Sequence, residues 1–200
     1  MNNTANSFKF SKDSPKLEAR QSAAAKSQIT NSTYIIILIA TAVVNAQMNG
    51  IVPSVTSYAS LPYSQATYHY GLALANVVSP TMSFLPFFIT TKSIPILCAL
   101  TVCSSIVTSF IIFLAALSPN LIFDSHIIGS CLAVGASLLA AGLHSYLRVV
   151  FASLLRQGEQ SESRLFWCGV FIQIGSFAGS AVMFPLINFV HIFTSAPPCR

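Results

Sequence analysis

Charge is what this sequence has least of. Of its 200 residues only 8% are charged, ten basic and five acidic, whereas soluble domains carry roughly 25%. From Ser27 to Thr91 there is no charged side chain at all. A chain so poor in charge cannot cover a globule with solvated groups. Acids are scarcer still. After Glu18 only Asp124, Glu159 and Glu162 remain, and none lies inside an apolar run. This argues against a carboxylate proton relay or a carboxylate sodium site. It also argues against an intramembrane aspartyl or metalloprotease. Cys98, Cys103, Cys131, Cys168 and Cys199 contain no CxxC spacing, so neither a metal site nor a disulfide framework is expected. No nucleophile–base motif appears, and we expect no enzyme and no cofactor. Five of the ten positive charges fall within the first 26 residues, which does not describe a nucleic-acid surface.

What the chain has is apolar length. At 54% hydrophobic, it reads as an all-α polytopic membrane protein. Residues 1–33 are polar and Lys-rich, a flexible basic tail without the apolar core of a signal peptide. The tail carries two glycosylation sequons, Asn2-Asn3-Thr4 and Asn31-Ser32-Thr33. Residues 34–199 form the membrane part. Five spans are expected near 34–57, 68–91, 93–117, 127–147 and 165–193. Each reaches the roughly 20 residues needed to cross about 30 Å of hydrocarbon. The fourth either ends near Leu147, with Arg148 reaching to headgroups, or runs on helically to Leu155. The first option is favoured.

Lys9, Lys12, Lys16, Arg20, Lys26, Lys92, Arg148, Arg156 and Arg164 all alternate onto one side of this arrangement. Only Arg200 lies on the other. By the positive-inside rule the tail is cytoplasmic, the C-terminus is outside and the sequons go unused.

Polar residues and breakers inside the spans are the candidates for function. Asn45, Gln47, Asn49 and Pro53 share the first span. Asn45 and Asn49 lie one turn apart on one face, and Pro53 deprives the Asn49 carbonyl of its helical donor. Lipid does not tolerate such groups. They face either a solute cavity or a neighbouring helix. In the second span Pro80, preceded by Ser79 and close to Asn76, implies a bend. His69 belongs at its outer end. His144 and Arg148 lie one turn apart in the fourth span. Gln173, Gly175, Ser176 and Gly179 sit in the fifth, where Gly175 and Gly179 form GxxxG, a helix-packing motif.

Several blocks together carry a resemblance. They are Asn49-Gly50-Ile51-Val52-Pro53 leading to Leu61-Pro62-Tyr63, then Tyr68-His69, then Ser145-Tyr146-Leu147-Arg148. Gln173-Ile174-Gly175-Ser176 and Met183-Phe184-Pro185 follow. Over nearly all of residues 34–199 the chain resembles the C-terminal part of the animal riboflavin transporters, solute carrier family 52.

The resemblance implies the last five spans of an eleven-span fold related to nucleoside transporters and the major facilitator type. It implies facilitative, sodium-independent riboflavin entry across the plasma membrane, with an amino-terminal six-span half missing from this chain. Asn45, Asn49 and Gln173 would match the imide edge of the flavin with paired donors and acceptors. Tyr58 and Tyr146 would flank the ring, and Ser57 and Ser176 would meet the ribityl hydroxyls. Pro53, Pro80, Gly175 and Gly179 would serve bending or packing. Riboflavin is then cargo, not cofactor. The alternative reading is a non-transporting fragment or an assembly or regulatory subunit.

Overall fold

A computed structural model describes residues 30–89, 91–120, 125–157 and 160–194. The first 29 residues, with the Asn2 sequon and the basic tail charges, lie outside the described residues, as do Asp124, Cys199 and Arg200. Among the described residues the structure is all helical.

Helix α1 spans Asn31–Ser60, so Asn31-Ser32-Thr33 forms its first turn rather than the end of a tail. Helix α2 is Gln65–Phe84, followed by a 3-10 turn at Leu85–Phe87. Its start is capped by Ser64, whose Oγ accepts the Thr67 N–H at 3.0 Å. Helix α3 is Ile94–Leu117, with Pro95 in its first turn. Helix α4, His126–Leu155, begins at Ser125, whose Oγ faces the Ile128 N–H at 3.4 Å. Helix α5 is Ser161–Asn188.

Among the described residues, four helices are long and apolar enough to cross a membrane: α1, α3, α4 and α5. Helix α2 has 20 residues but carries Gln65, His69, Asn76 and Pro80, and is not among the four. Helix α4 takes the longer of the two courses open in its sequence, running unbroken to Leu155. Arg148 is exposed on it.

The helices pair crosswise. Rather than packing chiefly on its predecessor, α2 lies along α4, and α5 lies along α1. Helix α3 fits against the second half of α1 and against α4. Helices α1 and α4 each touch all the others and form the centre.

Two apolar clusters hold the bundle. Ile37, Leu97, Leu147, Val150, Phe151 and Leu155 are among the most buried members of the first, at the end where α1 begins. Val55, Ala59, Ile111, Leu114, Ala133 and Ala140 build the second, at the end where α1 finishes. Between them, at mid-length of the helices, a group of buried polar residues gathers: Thr41, Asn45, Gln47, Ser104, Thr108, His144 and Ser145. Every fully buried side-chain nitrogen or oxygen among the described residues has a partner. That is the condition for tolerating such a layer in an apolar surround.

Candidate functional site

The polar layer is organised by a local break in α1. Pro53 has no N–H and its ring crowds the carbonyl four residues back, that of Asn49. The helix answers by widening. Residues Ala46–Ile51 adopt a π turn, and the Val52 N–H reaches Gln47 O. The expected bend is thus realised as a π turn just before Pro53, a feature frequent at functional sites. Side chains support the joint: Ser54 Oγ donates to Gly50 O at 2.7 Å and Thr56 Oγ1 to Val52 O at 2.6 Å.

The π turn sends its amides in two directions. Gln47 turns inward. Its Nε2 donates to Ser105 Oγ on α3 at 2.6 Å, and its Oε1 lies 3.0 Å from His144 Nε2 on α4. Thr108 Oγ1 is 3.4 Å from the same ring nitrogen. Asn49 turns toward α5. Its Nδ2 donates to Ser176 Oγ at 2.9 Å and, more loosely, to Asn45 Oδ1 at 3.4 Å. Asn45 is fully buried, and its Nδ2 returns to Thr41 O at 2.8 Å. Asn49 itself is exposed.

Helix α5 can approach α1 this closely because the contact is made of small residues. An added Cβ on Gly175 would sit 2.1 Å from Ala42 O, and one on Gly179 would sit 2.4 Å from Ala46 O. One on Gly50 would lie 2.6 Å from the Gly179 backbone. Ala42, Ala46 and Gly50 therefore mesh with Gly175 and Gly179, and Ser176 is carried into reach of Asn49.

The structure thus brings together Asn45, Asn49 and Ser176 around the π turn. Gln173 lies on α5 one turn before Ser176 and is exposed. Ser57 is half-buried one turn beyond Pro53. Tyr58 belongs to the edge of the second cluster, its ring 5.5 Å from that of Phe193. Tyr146 is placed apart, in the first cluster, where its OH donates to Ile89 O at 3.1 Å and meets Thr91 Oγ1 at the same distance. Pro80 is exposed within α2, which continues through it. His144 and Arg148, one turn apart, end in different surroundings: His144 is buried in the polar layer and Arg148 is exposed.

On the other flank of the π turn a cavity of about 310 Å³ opens between α1, α2 and α4. Met48, Val52, Pro53 and Thr56 line it from α1, Tyr68, Asn76 and Ser79 from α2, and Ser137 and His144 from α4. No charged side chain lines it, and the described residues contain no cluster of His, Cys, Asp and Glu suited to a metal. The arrangement suits a neutral solute with several hydrogen-bonding groups.

A family model described as solute carrier family 52, riboflavin transporter, matches residues 1–195. The chain belongs to that family. The match extends across the polar N-terminal stretch as well as the helices. Among family 52 relatives, riboflavin transporter rft-2 of Caenorhabditis elegans is 70% identical over 86% of this chain and 36% of its own length. Riboflavin transporter rft-1 of the same organism is 62% identical over 87% of the chain and 41% of its own length. The human solute carrier family 52 member 3 is 35% identical over 80% and 34%. The chain therefore spans well under half the length of these family 52 proteins. No solved structure matches it.

Two groups at the centre of this family 52 chain escaped the sequence as partners: Gln47 with His144, and the hydroxyls of α3. Ser104, Ser105 and Thr108 bond carbonyls of their own helix, as hydroxyls in apolar helices commonly do. Nothing in composition separates them from filler.

Proposed function

We propose that this chain forms one lobe of a facilitative, sodium-independent riboflavin transporter of the plasma membrane. The observation that carries the reading is the exposed Asn49 amide at mid-length of α1, tied to Ser176 on α5, with a neutral cavity on the other flank of the same π turn. Lipid is a poor neighbour for such a group, so it faces a wet pathway. Asn49, Gln173 and Ser176 meet the hydrogen-bonding groups of the solute, while Asn45, expected from sequence as a contact, is fully buried and supports Asn49 from behind. Ser57 and Tyr58 lie further along the same helix, toward the outer mouth. Tyr146 acts from the inner core as a support rather than a contact. Pro53 sets the π turn, Pro80 shapes α2, and Gly175 and Gly179 keep α5 close. The relatives' names support riboflavin as the cargo. Transport proceeds without a resident cofactor or metal, and no catalysis is proposed.

In this reading α2 also crosses the membrane, as the second of five spans, despite its polar residues, because it lines the pathway. The N-terminus is cytoplasmic and the C-terminus extracellular. The lobe is of the nucleoside-transporter and major-facilitator type, with the solute held near mid-membrane between two such lobes. An amino-terminal six-span half completes the pathway. The experiment is labelled riboflavin uptake by cells expressing the chain alone and joined to such a half. Saturable uptake by the joined form supports the proposal, and its absence in both forms overturns it.

A second reading is a non-transporting or assembly subunit. It predicts an effect on a co-expressed transporter and no uptake by the joined form.

A further inference from the structure

The cavity between α1, α2 and α4 contains one group whose chemistry can be worked out hydrogen by hydrogen. Ser105 Oγ donates its only hydrogen to Thr101 O at 2.9 Å. Toward Gln47 it is therefore an acceptor, and the Gln47 amide must present its NH₂ there. That leaves Gln47 Oε1 pointing at His144 Nε2, 3.0 Å away. Thr108 Oγ1 has likewise spent its hydrogen on Ser104 O at 2.9 Å. Both neighbours of His144 Nε2 are thus acceptors, so Nε2 carries the proton. In a neutral imidazole the other nitrogen, Nδ1, is then a bare acceptor.

His144 Nδ1 has no hydrogen-bond partner among the described residues. No fully buried side-chain nitrogen among them lacks a partner, so Nδ1 opens onto free space. The residue is only 1% exposed, and the cavity is the space it lines. A buried acceptor held in one tautomer by α3 and α1, and aimed into a neutral cavity, is a recognition group in want of a donor. Around it Asn76 and Tyr68 supply further polar groups. The cavity lies at the small end of ligand-pocket volumes, about 300–1,000 Å³, which suits a flat ring entering edge-on.

We propose that His144 Nδ1 accepts a hydrogen bond from the imide N–H of the flavin ring, with Gln47 as the positioning residue that fixes its tautomer. This rests on the reading of the chain as a riboflavin transporter. It moves recognition of the imide from the amides of α1 and α5 to the opposite flank of the π turn. A ring whose imide nitrogen bears a methyl group has no donor to offer, and it leaves Nδ1 unpaired.

The test compares uptake of riboflavin and of 3-methylriboflavin by the joined transporter and its His144→Leu variant, each normalised to surface protein. The unsubstituted form should favour riboflavin by about 5- to 150-fold, the range for one unpaired buried group. In the His144→Leu variant riboflavin uptake should fall and the preference should shrink toward unity. Equal uptake of both flavins by the unsubstituted form, or an undiminished preference in the variant, overturns the assignment while leaving riboflavin transport intact. Absence of riboflavin uptake by the unsubstituted form defeats the transporter reading itself.

A variant that fails to reach the surface is replaced by a second measurement. Ala141, which lines the same cavity, is changed to Cys in a transporter freed of its other cysteines, and modification by N-ethylmaleimide is followed. Riboflavin should slow the modification at concentrations where 3-methylriboflavin does not. Equal protection by both, or by neither, overturns the proposal.

Discussion

Gly175→Ala adds one methyl group at the tightest point of the bundle. Its Cβ would lie 2.1 Å from Ala42 O, while ordinary contact begins at 3.4 Å. The obstacle is backbone, which cannot rotate away, so α5 must retreat by the difference, about 1.3 Å. Ser176 is the next residue, and its 2.9 Å bond from Asn49 would open to about 4 Å, beyond hydrogen-bonding range. Overpacking typically costs about 1–3 kcal/mol, and the lost interhelical bond adds about 0.6 kcal/mol. Helix propensity acts the other way, favouring Ala over Gly by about 0.8–1.0 kcal/mol. The net expectation is destabilisation by about 1–3 kcal/mol, with reduced uptake per surface molecule. Gly135→Ala and Gly169→Ala are the controls, since an added Cβ at either meets nothing within 4 Å. They should be neutral or slightly stabilising. Thermal unfolding of the purified chain in detergent, followed by size-exclusion chromatography, compares the three. A Gly175→Ala protein that melts together with Gly135→Ala would refute the close packing of α5 on α1.

Asn49→Leu in the joined transporter should lower uptake per surface molecule by roughly 5- to 150-fold, the equivalent of about 1–3 kcal/mol for an unpaired group; unchanged normalised uptake would remove Asn49 from the pathway. A tag placed after Arg200 should be labelled on intact cells and one before Met1 should not, and the reverse pattern would invert the proposed orientation. The chain expressed alone should carry little riboflavin; saturable uptake well above empty-vector cells would show that one lobe suffices. Gln47→Leu strips His144 Nε2 of its 3.0 Å partner. It should cost about 1–3 kcal/mol of stability, read as an earlier melting transition, whereas Gln173→Leu on the exposed face of α5 should leave the transition in place.

How far the sequence reaches can be seen residue by residue. Pro53 and its missing N–H announced a break at Asn49, because that consequence is local and steric. The form of the break, a π turn rather than a sharp kink, depends on what packs beside it. Gly175 and Gly179 announced a close approach, but the complementary stripe of Ala42, Ala46 and Gly50 is invisible without a partner. Alanine in an apolar helix has many reasons to be there. In the sequence the evident neighbour of His144 is Arg148, one turn away. Its real neighbours, Gln47 and Thr108, stand 97 and 36 residues away. Tyr146 looked like a ring-flanking residue, and the structure spends it on anchoring Ile89 and Thr91. Helix α2 shows the opposite limit: its prolines and amides dilute the very apolarity by which spans are recognised.

The π turn also has a bearing on insertions and deletions. Successive residues of a helix are set about 100° apart, and a π turn accommodates one extra residue without disturbing the helix on either side. Ile37 and Leu38 face one apolar cluster and Val55 and Ala59 the other, with the turn between them taking up the phase difference. Losing one residue from Ala46–Ile51 would restore an ordinary helix and rotate one half against the other, so that only one of the two clusters stayed in register. A change of length here is a phase error, and it would require matching changes on α3, α4 and α5 together. The spacing from Thr41 to Pro53 should therefore be kept to the residue even where the letters within it vary.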